Sequence, residues 1–202
     1  MLKIHYNIIQ GTDDWFAAKC GKVGASSFNK IITSKGARST QRKAHIYALA
    51  GEILTGKKAE SYSNAHMQNG LDMENESREL FAFLNNLEIE EVGGIENPNM
   101  ESVFISPDGI IKGKEEGLEL KNVLASTQVK YLNKGILPTE YKIQIQMSLA
   151  VTGWDIWHFF SYHPGLPPLY IKVPRDEELI KIIDRELKLF VKELNKIVQQ
   201  IQ

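Results

Sequence analysis

Apolar residues recur along the chain at two spacings, and each spacing predicts one type of secondary structure. Helical spacing predicts helices in the ranges 44–55, 65–86, 125–133, 138–152 and 175–201. Short apolar runs bounded by Gly, Pro and Asn predict strands in the ranges 87–95, 102–106, 109–111, 118–123, 154–162 and 168–173. Helices before and after a group of strands predict an α/β fold, with a central mixed β-sheet flanked by helices.

The segment 112–117 has the Gly and polar content of a hairpin turn between two of the predicted strands. A turn centred near Lys114–Glu115 would place Asp108 opposite Lys121. Side chains two residues apart in a strand share a face, so Glu119 is expected beside Lys121. Two carboxylates and an ammonium group are therefore predicted to converge on one small volume.

Such a cluster has two interpretations. Neighbouring carboxylates repel unless a cation lies between them, and hard oxygen ligands suit Mg²⁺ or Mn²⁺. A metal ion there would neutralise charge on a phosphodiester under attack, and Lys121 would orient the attacking water or stabilise the developing charge. In the other interpretation, Asp108 and Gly109 form a turn, and Glu119 and Lys121 are a solvated strand face. The short pattern alone leaves both open, while Leu120 is expected to point into the core.

Composition and charge narrow the class of protein. With 202 residues, of which 43% are hydrophobic, the chain is expected to form one domain over residues 1–202. A formal net charge of −1 excludes a global positive field, so DNA binding would need a local patch or assembly. Cys20 is the only cysteine, which excludes an internal disulfide and a multi-cysteine zinc site. We expect a cytoplasmic protein without a membrane partner, since no signal peptide or long apolar run occurs.

Two polar segments are candidates for binding anions. The sequence predicts a loop that enters a helix at Ser26, where free backbone N–H groups would favour an anion; simple capping of the helix by Ser26 is the alternative. Residues 34–43 carry four cationic side chains and no acid. This segment is either a solvated connector or a contact to the DNA backbone, with Arg38 and Arg42 as the expected contacts.

Five motifs occur in a fixed order from about residue 10 to residue 175. They are Trp15…Lys19-x-Gly21-x-x-x-Ala25-Ser26, Gly70-x-x-x-Glu74-x-x-x-Arg78-x-Leu80-Phe81, Ser106-Pro107-Asp108-Gly109, Gly117-Leu118-Glu119-Leu120-Lys121 and Gln144-x-Gln146…Val151-Thr152. Together they resemble the phage lambda exonuclease family, the YqaJ-like viral recombinase nucleases, within the PD-(D/E)xK superfamily. The resemblance implies a restriction-endonuclease-like core.

The resemblance also implies a metal centre. Asp108, Glu119 and the backbone carbonyl of Leu120 would hold Mg²⁺, for which Mn²⁺ would substitute. Lys121 would position or activate the attacking water. Glu74, on the helix before the sheet, would complete the acidic cluster through water or a second metal.

Further residues are implied around that centre. Gln144 would reach it from the following helix, with Gln146 as the alternative. The 5′-terminal phosphate would be bound by Lys19, Ser26 and Ser106. Lys19 departs from the best-known members, which have Arg there, so a weaker 5′-phosphate preference is expected. Met67 is a candidate apolar wedge at the DNA fork.

The activity implied is 5′→3′ exonuclease action on double-stranded DNA ends, which releases mononucleotides and leaves a 3′ single strand. Family members close into a homotrimeric ring around the duplex, and a phage single-strand annealing protein is the implied partner. Two other functions stay open on the same residues. One is an endonuclease of restriction or junction-cutting type, and the other is a DNA-end-binding module whose acidic cluster is only structural.

Overall fold

The structure is a computed structural model that describes residues 1–58 and 73–202. Its helices are α1 (Asp13–Lys19), a short 3₁₀ helix (Ala25–Lys30), α2 (Arg42–Thr55), α3 (Glu74–Asn85), α4 (Ala125–Lys134), α5 (Thr139–Thr152) and α6 (Glu177–Ile201). Its strands are β1 (Lys3–His5), β2 (Ile89–Glu90), β3 (Gly94–Glu96), β4 (Gly109–Ile111), β5 (Glu116–Asn122), β6 (Ile156–Tyr162) and β7 (Leu169–Pro174). The part of the 65–86 helix before residue 73, with Met67, lies outside the described residues.

A mixed five-stranded sheet in the order β2-β4-β5-β6-β7 forms the centre of the fold. β5 and β6 are parallel, and the other neighbouring strands are antiparallel. Parallel strands need a crossover connection, and α4 and α5 provide it between β5 and β6. β1 and β3 pair in a separate two-stranded sheet. The predicted α/β class, with a central mixed sheet flanked by helices, is confirmed.

The two faces of the sheet carry separate apolar clusters. On one face, Leu118 and Leu120 pack with Phe160 and with Phe81 of α3. On the other, Trp157 and the larger core pack beneath α2, α5 and α6. Alternation along β5 thus turns Leu120 into the first cluster, as predicted, and turns Glu119 toward the opposite face.

The predicted register of the β4–β5 hairpin is wrong by two residues. Gly109 pairs with Leu118 and Ile110 with Gly117. In this register the residue opposite Asp108 is Glu119, whereas the predicted residue was Lys121. The turn is centred one residue earlier than predicted, at Gly113 and Lys114. Gly113 has a φ of +73°, a conformation that glycine adopts without steric cost.

Two other predicted elements are shorter than expected. The range 87–95 is split into β2 and the start of β3, which belong to different sheets. Gly93 and Gly94 lie at this change of sheet, where a Cβ atom would lie 2.4 Å from the Ile8 carbonyl and 2.2 Å from the Phe104 ring. Range 102–106 forms only isolated bridges, through Val103 and Ile105.

No helix in the described part of the chain is long and apolar enough to cross a membrane.

Candidate active site

Asp108 lies just before β4, and its carboxylate extends the hydrogen bonding between β4 and β5. Its N–H donates to the Leu118 carbonyl over 3.1 Å. Two residues along β5, the N–H of Leu120 donates to Oδ2 of Asp108 over 2.6 Å. Because the regular ladder ends at Gly109, the side chain takes the place of a backbone acceptor. The strand end therefore fixes the position of this carboxylate.

Glu119 is buried on β5, with 2% of its surface exposed. Its Oε1 accepts hydrogen bonds from Lys121 Nζ and, over 2.6 Å, from Gln144 Nε2. The Lys121 ammonium also lies 5.3 Å from the centre of the Tyr141 ring. Tyr141 and Gln144 are three residues apart on α5 and therefore share a helix face. That face covers the end of β5 that carries the acid and the lysine.

Glu74 joins this cluster through Arg78. Both lie on α3, and Arg78 Nη2 donates to Glu74 Oε1 over 2.5 Å. Arg78 Nε donates to the backbone carbonyl of Asp108 over 3.1 Å. Burial and the Asp108 charge raise the pKa of Glu74, against the effect of Arg78. Arg78 is buried and thus ties α3 to the segment that carries Asp108.

The charged groups of this cluster perturb one another. Burial raises the pKa of Asp108, although Lys121 and the Leu120 N–H favour its charged form. Burial raises the pKa of Glu119 to about 7, an effect that Asp108 reinforces and that Lys121 and Gln144 oppose. Burial alone would lower the pKa of Lys121, but the two carboxylates outweigh it and raise that pKa. The ammonium is thus held in its charged form between two acids.

The donors in the cluster fit a hard divalent cation. Glu119 is buried and Asp108 is half-buried, and the charges of the two carboxylates disfavour each other. A cation near both would relieve that cost. Across residues 1–58 and 73–202, no three His, Cys, Asp or Glu side chains converge into a ready-made metal site. The donor set would have to be completed by the Leu120 carbonyl, water and substrate oxygens, which is how proteins commonly bind Mg²⁺.

Two of the three predicted phosphate-binding residues lie near this cluster. Trp15 Nε1 donates to Ser106 Oγ over 2.9 Å, and Ser106 Oγ donates to the Gly93 carbonyl over 2.8 Å. The Lys19 ammonium lies 3.6 Å from the Trp15 ring centre. The charge of Asp108 acts on Lys19 strongly enough to oppose the lowering of its pKa. Trp15 thus connects Lys19 to Ser106 at the edge of the acidic cluster.

The surroundings of Ser26 differ from the expectation. Ser26 is exposed and is the second residue of a six-residue 3₁₀ helix. Gly24, not Ser26, occupies the N-cap position, and no side chain caps this helix. The helix thus begins at Ala25, one residue before the predicted entry at Ser26, and the alternative in which Ser26 caps the helix is wrong. A phosphate contact by the Ser26 side chain stays a prediction.

The two arginines predicted to contact DNA face acids of α6. Arg38 Nε pairs with Glu186 over 2.8 Å, and Arg42 Nη2 pairs with Glu193 over 2.9 Å. Arg42 is 7% exposed, so its predicted DNA contact is corrected to packing of α2 against α6. Arg38 has 55% of its side chain exposed, and its DNA contact stays a prediction. Met67 cannot be placed, because it lies outside the described residues.

Three residues of the site were not given these roles by sequence reasoning: Trp15, Arg78 and Tyr141. Trp15 and Arg78 belong to the matched motifs, and this membership was a signal that they have a role. Their hydrogen-bond partners, Ser106 and Asp108, are 91 and 30 residues away in the sequence, so the contacts could not be predicted. Tyr141 lies outside the matched motifs. The i, i+3 spacing to Gln144 is the signal that indicates it faces the same cluster.

Comparison with known families gives one match. Residues 14–155, more than half of the chain, match the model of the YqaJ-like viral recombinase domain. None of the curated proteins compared matches this sequence.

Comparison with solved structures gives alkaline exonucleases. The structure of LHK-Exo in complex with dAMP is similar with a TM-score of 0.85 at 30% identity, covering 94% of this chain and 96% of that one. A second structure of this alkaline exonuclease, from Laribacter hongkongensis, has a TM-score of 0.85 at 29% identity, with the same coverage of 94% and 96%. A phage related exonuclease from Haemophilus somnus 129PT shares the fold, with a TM-score of 0.66 at 17% identity over 90% of this chain and 96% of that chain.

Proposed function

Because the chain belongs to the YqaJ-like viral recombinase family and is a nuclease of the lambda-exonuclease type, we propose that it is a Mg²⁺-dependent 5′→3′ exonuclease. Its substrate is the end of double-stranded DNA, from which it releases 5′-mononucleotides and leaves a 3′ single strand. One observation carries the proposal. The half-buried Asp108, just before β4, and the buried Glu119 on the neighbouring β5 lie close together, and the Lys121 ammonium donates directly to Glu119.

Each residue of the cluster has a role in phosphodiester hydrolysis. Asp108, Glu119 and the Leu120 carbonyl would hold Mg²⁺, and Glu74 would complete the acidic cluster. When bound, such an ion neutralises charge on the phosphodiester and makes a coordinated water more acidic. Lys121 orients the attacking water and stabilises the charge that develops on the phosphate oxygens. Gln144 keeps Glu119 oriented through its 2.6 Å hydrogen bond.

Polarity follows from an anion site beside the cluster. Lys19 and Ser106, linked by Trp15, would bind the terminal phosphate of the 5′ strand. With the end held there, the next phosphodiester along that strand is presented to Asp108 and Glu119. The 3′ strand would be left intact.

The assembly we propose is a homotrimeric ring. The chain has a formal net charge of −1, so a single copy attracts DNA weakly over long range. Three copies around one axis bring their basic segments into one channel. Mass measurement in solution tests this, and a monomer at micromolar concentration would contradict it. The 3′ strand left behind would pass to a single-strand annealing protein in the host cytoplasm.

The first test is the polarity of digestion. We expect 5′-phosphorylated linear duplex to be converted to mononucleotides with Mg²⁺ or Mn²⁺, and to stay intact with EDTA. A 3′ label should persist in the single-strand product while a 5′ label is lost first. Release from 3′ ends alone would overturn the assignment. Cleavage of covalently closed circular DNA would favour an endonuclease on the same core.

The second test removes the ammonium group. Lys121→Ala should lower the rate of cleavage by at least about 100-fold, because the variant loses charge stabilisation at the reacting phosphate. Binding to duplex ends, measured in EDTA by fluorescence anisotropy, should be retained. Unchanged cleavage by the variant would exclude Lys121 from catalysis. Absence of metal-dependent hydrolysis in both proteins would indicate a DNA-end-binding module.

A further inference from the structure

Lys19 is a half-buried cation whose lost hydration is only partly replaced by contacts with other residues. Its ammonium lies over the Trp15 ring, and it forms no ion pair with any acid in residues 1–58 or 73–202. Burial and the nearby Lys58 charge lower its pKa to about 8, against Asp108 and Glu52. A partly desolvated charge is stable only when an opposite charge or hydrogen bonds replace its water. The position is therefore suited to an anionic ligand.

Glu52 holds Lys58 close to the residues that follow Lys19. Its ammonium lies 3.3 Å from both carboxylate oxygens of Glu52. Glu52 Oε2 also accepts the N–H of Gly21 over 2.9 Å, two residues after Lys19. One carboxylate thus connects the segment that follows α1 to the segment that follows α2.

The position of Glu52 favours a functional reason for this connection. It is 5% exposed and lies in the last turn of α2, where the helix dipole disfavours an acid. Burying a carboxylate there costs free energy unless its partners repay the lost hydration. Gly21 and Lys58 are such partners, and the result is a fixed second ammonium group near Lys19.

We infer that Lys58 is a second phosphate-binding residue, which contacts the 5′-terminal phosphate together with Lys19, and that Glu52 is the residue that positions it. This inference rests on the proposed function, and it names how the enzyme recognises the 5′ end. A terminal phosphate monoester carries close to two negative charges at neutral pH, whereas a phosphodiester carries one. Two ammonium groups match the monoester, so the pair selects a phosphorylated end.

The inference is tested by the ratio of kcat/KM on blunt duplex with a 5′ phosphate to kcat/KM on the same duplex with a 5′ hydroxyl. Lys58→Gln should lower this ratio by about 10-fold, the effect of losing one charged hydrogen bond. Lys57→Gln is the matched control, because Lys57 is the preceding residue and is exposed. The control should keep the wild-type ratio, and Lys58→Arg should restore most of it.

Glu52→Gln separates positioning from direct contact. It should raise KM for phosphorylated ends more than it changes kcat, because the ammonium is present but no longer fixed. Thermal unfolding of each variant shows whether the fold is intact. A Lys58→Gln ratio equal to that of the wild type, or an equal fall in Lys57→Gln, would overturn the inference.

A binding measurement separates this inference from the proposed activity. The affinity for 5′-phosphorylated and 5′-hydroxyl hairpin duplexes can be compared in EDTA, where no cleavage occurs. A preference for the phosphate that Lys58→Gln reduces and Lys57→Gln keeps would support the inference even if the wild type degraded no DNA. An active wild type without any such preference would overturn it and leave the exonuclease assignment standing.

Discussion

At the scale of single residues, the contacts of the two α5 glutamines distinguish their roles. Gln144 donates to Glu119, so it faces the candidate active site. Gln146 donates to the Pro174 carbonyl over 2.8 Å and accepts the Asp176 N–H over 2.8 Å. Residues two apart on a helix point in different directions, so one glutamine serves the site and the other holds the start of α6.

We therefore expect substitution of one glutamine to affect activity and substitution of the other to affect stability. Gln144→Leu should lower kcat by roughly 10- to 100-fold through the lost hydrogen bond to a charged group, with little change in Tm. Gln146→Leu should remove two hydrogen bonds, to the Pro174 carbonyl and from the Asp176 N–H, which costs about 1–3 kcal/mol of stability or roughly 3–10 °C in Tm. Cleavage rates and thermal melts on both variants check this. Equal effects of the two substitutions on kcat would contradict it.

At this scale, the sequence predicted the charged side chains of the site better than it predicted the residues that contact them. It predicted that Glu119 and Lys121 share a face, because strand alternation is local. It named Gln144 with Gln146 as the alternative, because the final choice depends on how α5 docks on the sheet. It missed the buried position of Arg78, whose partner Asp108 is 30 residues away.

At the scale of elements, the position of β5 decides where the candidate catalytic side chains Glu119 and Lys121 lie. β5 is held between antiparallel β4 and parallel β6. A Cβ atom on Gly117 would lie 2.4 Å from Cη2 of the fully buried Trp157. The absence of a side chain at Gly117 thus lets β5 lie directly against this ring, two residues before Glu119.

Gly117→Ala should accordingly damage both stability and activity. Overpacking against Trp157 is expected to cost about 1–3 kcal/mol, and any shift of β5 displaces Glu119 from Gln144. Gly51→Ala is the control, because a Cβ atom there meets nothing within 4 Å and alanine favours a helix interior by about 0.5–1 kcal/mol. Urea unfolding and cleavage assays on both variants test this. Wild-type stability in Gly117→Ala would show that the ring can move away freely.

The β4–β5 hairpin was predicted correctly in its elements but not in its register. The strands and the intervening polar segment were recognised correctly from their composition. The register was wrong because it depends on which residue adopts the left-handed conformation, and the glycine at 113 does so. The pair of glycines at 93 and 94 likewise split a predicted strand, since their tight contacts come from distant segments.

At the scale of the whole molecule, α2 and α6 are joined by polar as well as apolar contacts. Arg38 and Arg42 pair with acids 148 and 151 residues later in the chain. No local pattern indicates such partners, which is why the basic segment 34–43 was interpreted as a connector or a DNA contact. His45 is buried in the same interface, with its ring centre 5.6 Å from that of Phe190.

His45 should make folding stability depend on pH. Burial, reinforced by Lys30 and Lys58 and opposed by Glu52, lowers the pKa of His45 to about 4, whereas an unfolded chain has a value of about 6.5. Between these values the unfolded state binds more protons, so stability falls as pH falls from about 6.5 to about 4. Above about 6.5 both states are neutral at this residue, and the effect disappears.

His45→Gln should remove this contribution, which amounts to at most about 1.4 kcal/mol per pH unit. The free energy of urea unfolding, measured across this interval for both proteins, gives the two slopes. The variant should show the flatter dependence, while the acids titrate alike in both proteins. An identical slope would mean that His45 gains a proton in the folded protein as readily as in the unfolded chain.

Leu120 donates its backbone N–H to Asp108 and lies in the sequence between Glu119 and Lys121. Its own side chain packs on the opposite face of the sheet, with Phe81 and Phe160. A gene library randomised at this codon should therefore recover active clones with Ile, Val or Met. Proline should be absent among them, because its nitrogen has no hydrogen to donate. The expected requirement at this position is for volume and lipophilicity together with a backbone N–H, so several apolar side chains would serve while the chemistry around them is retained.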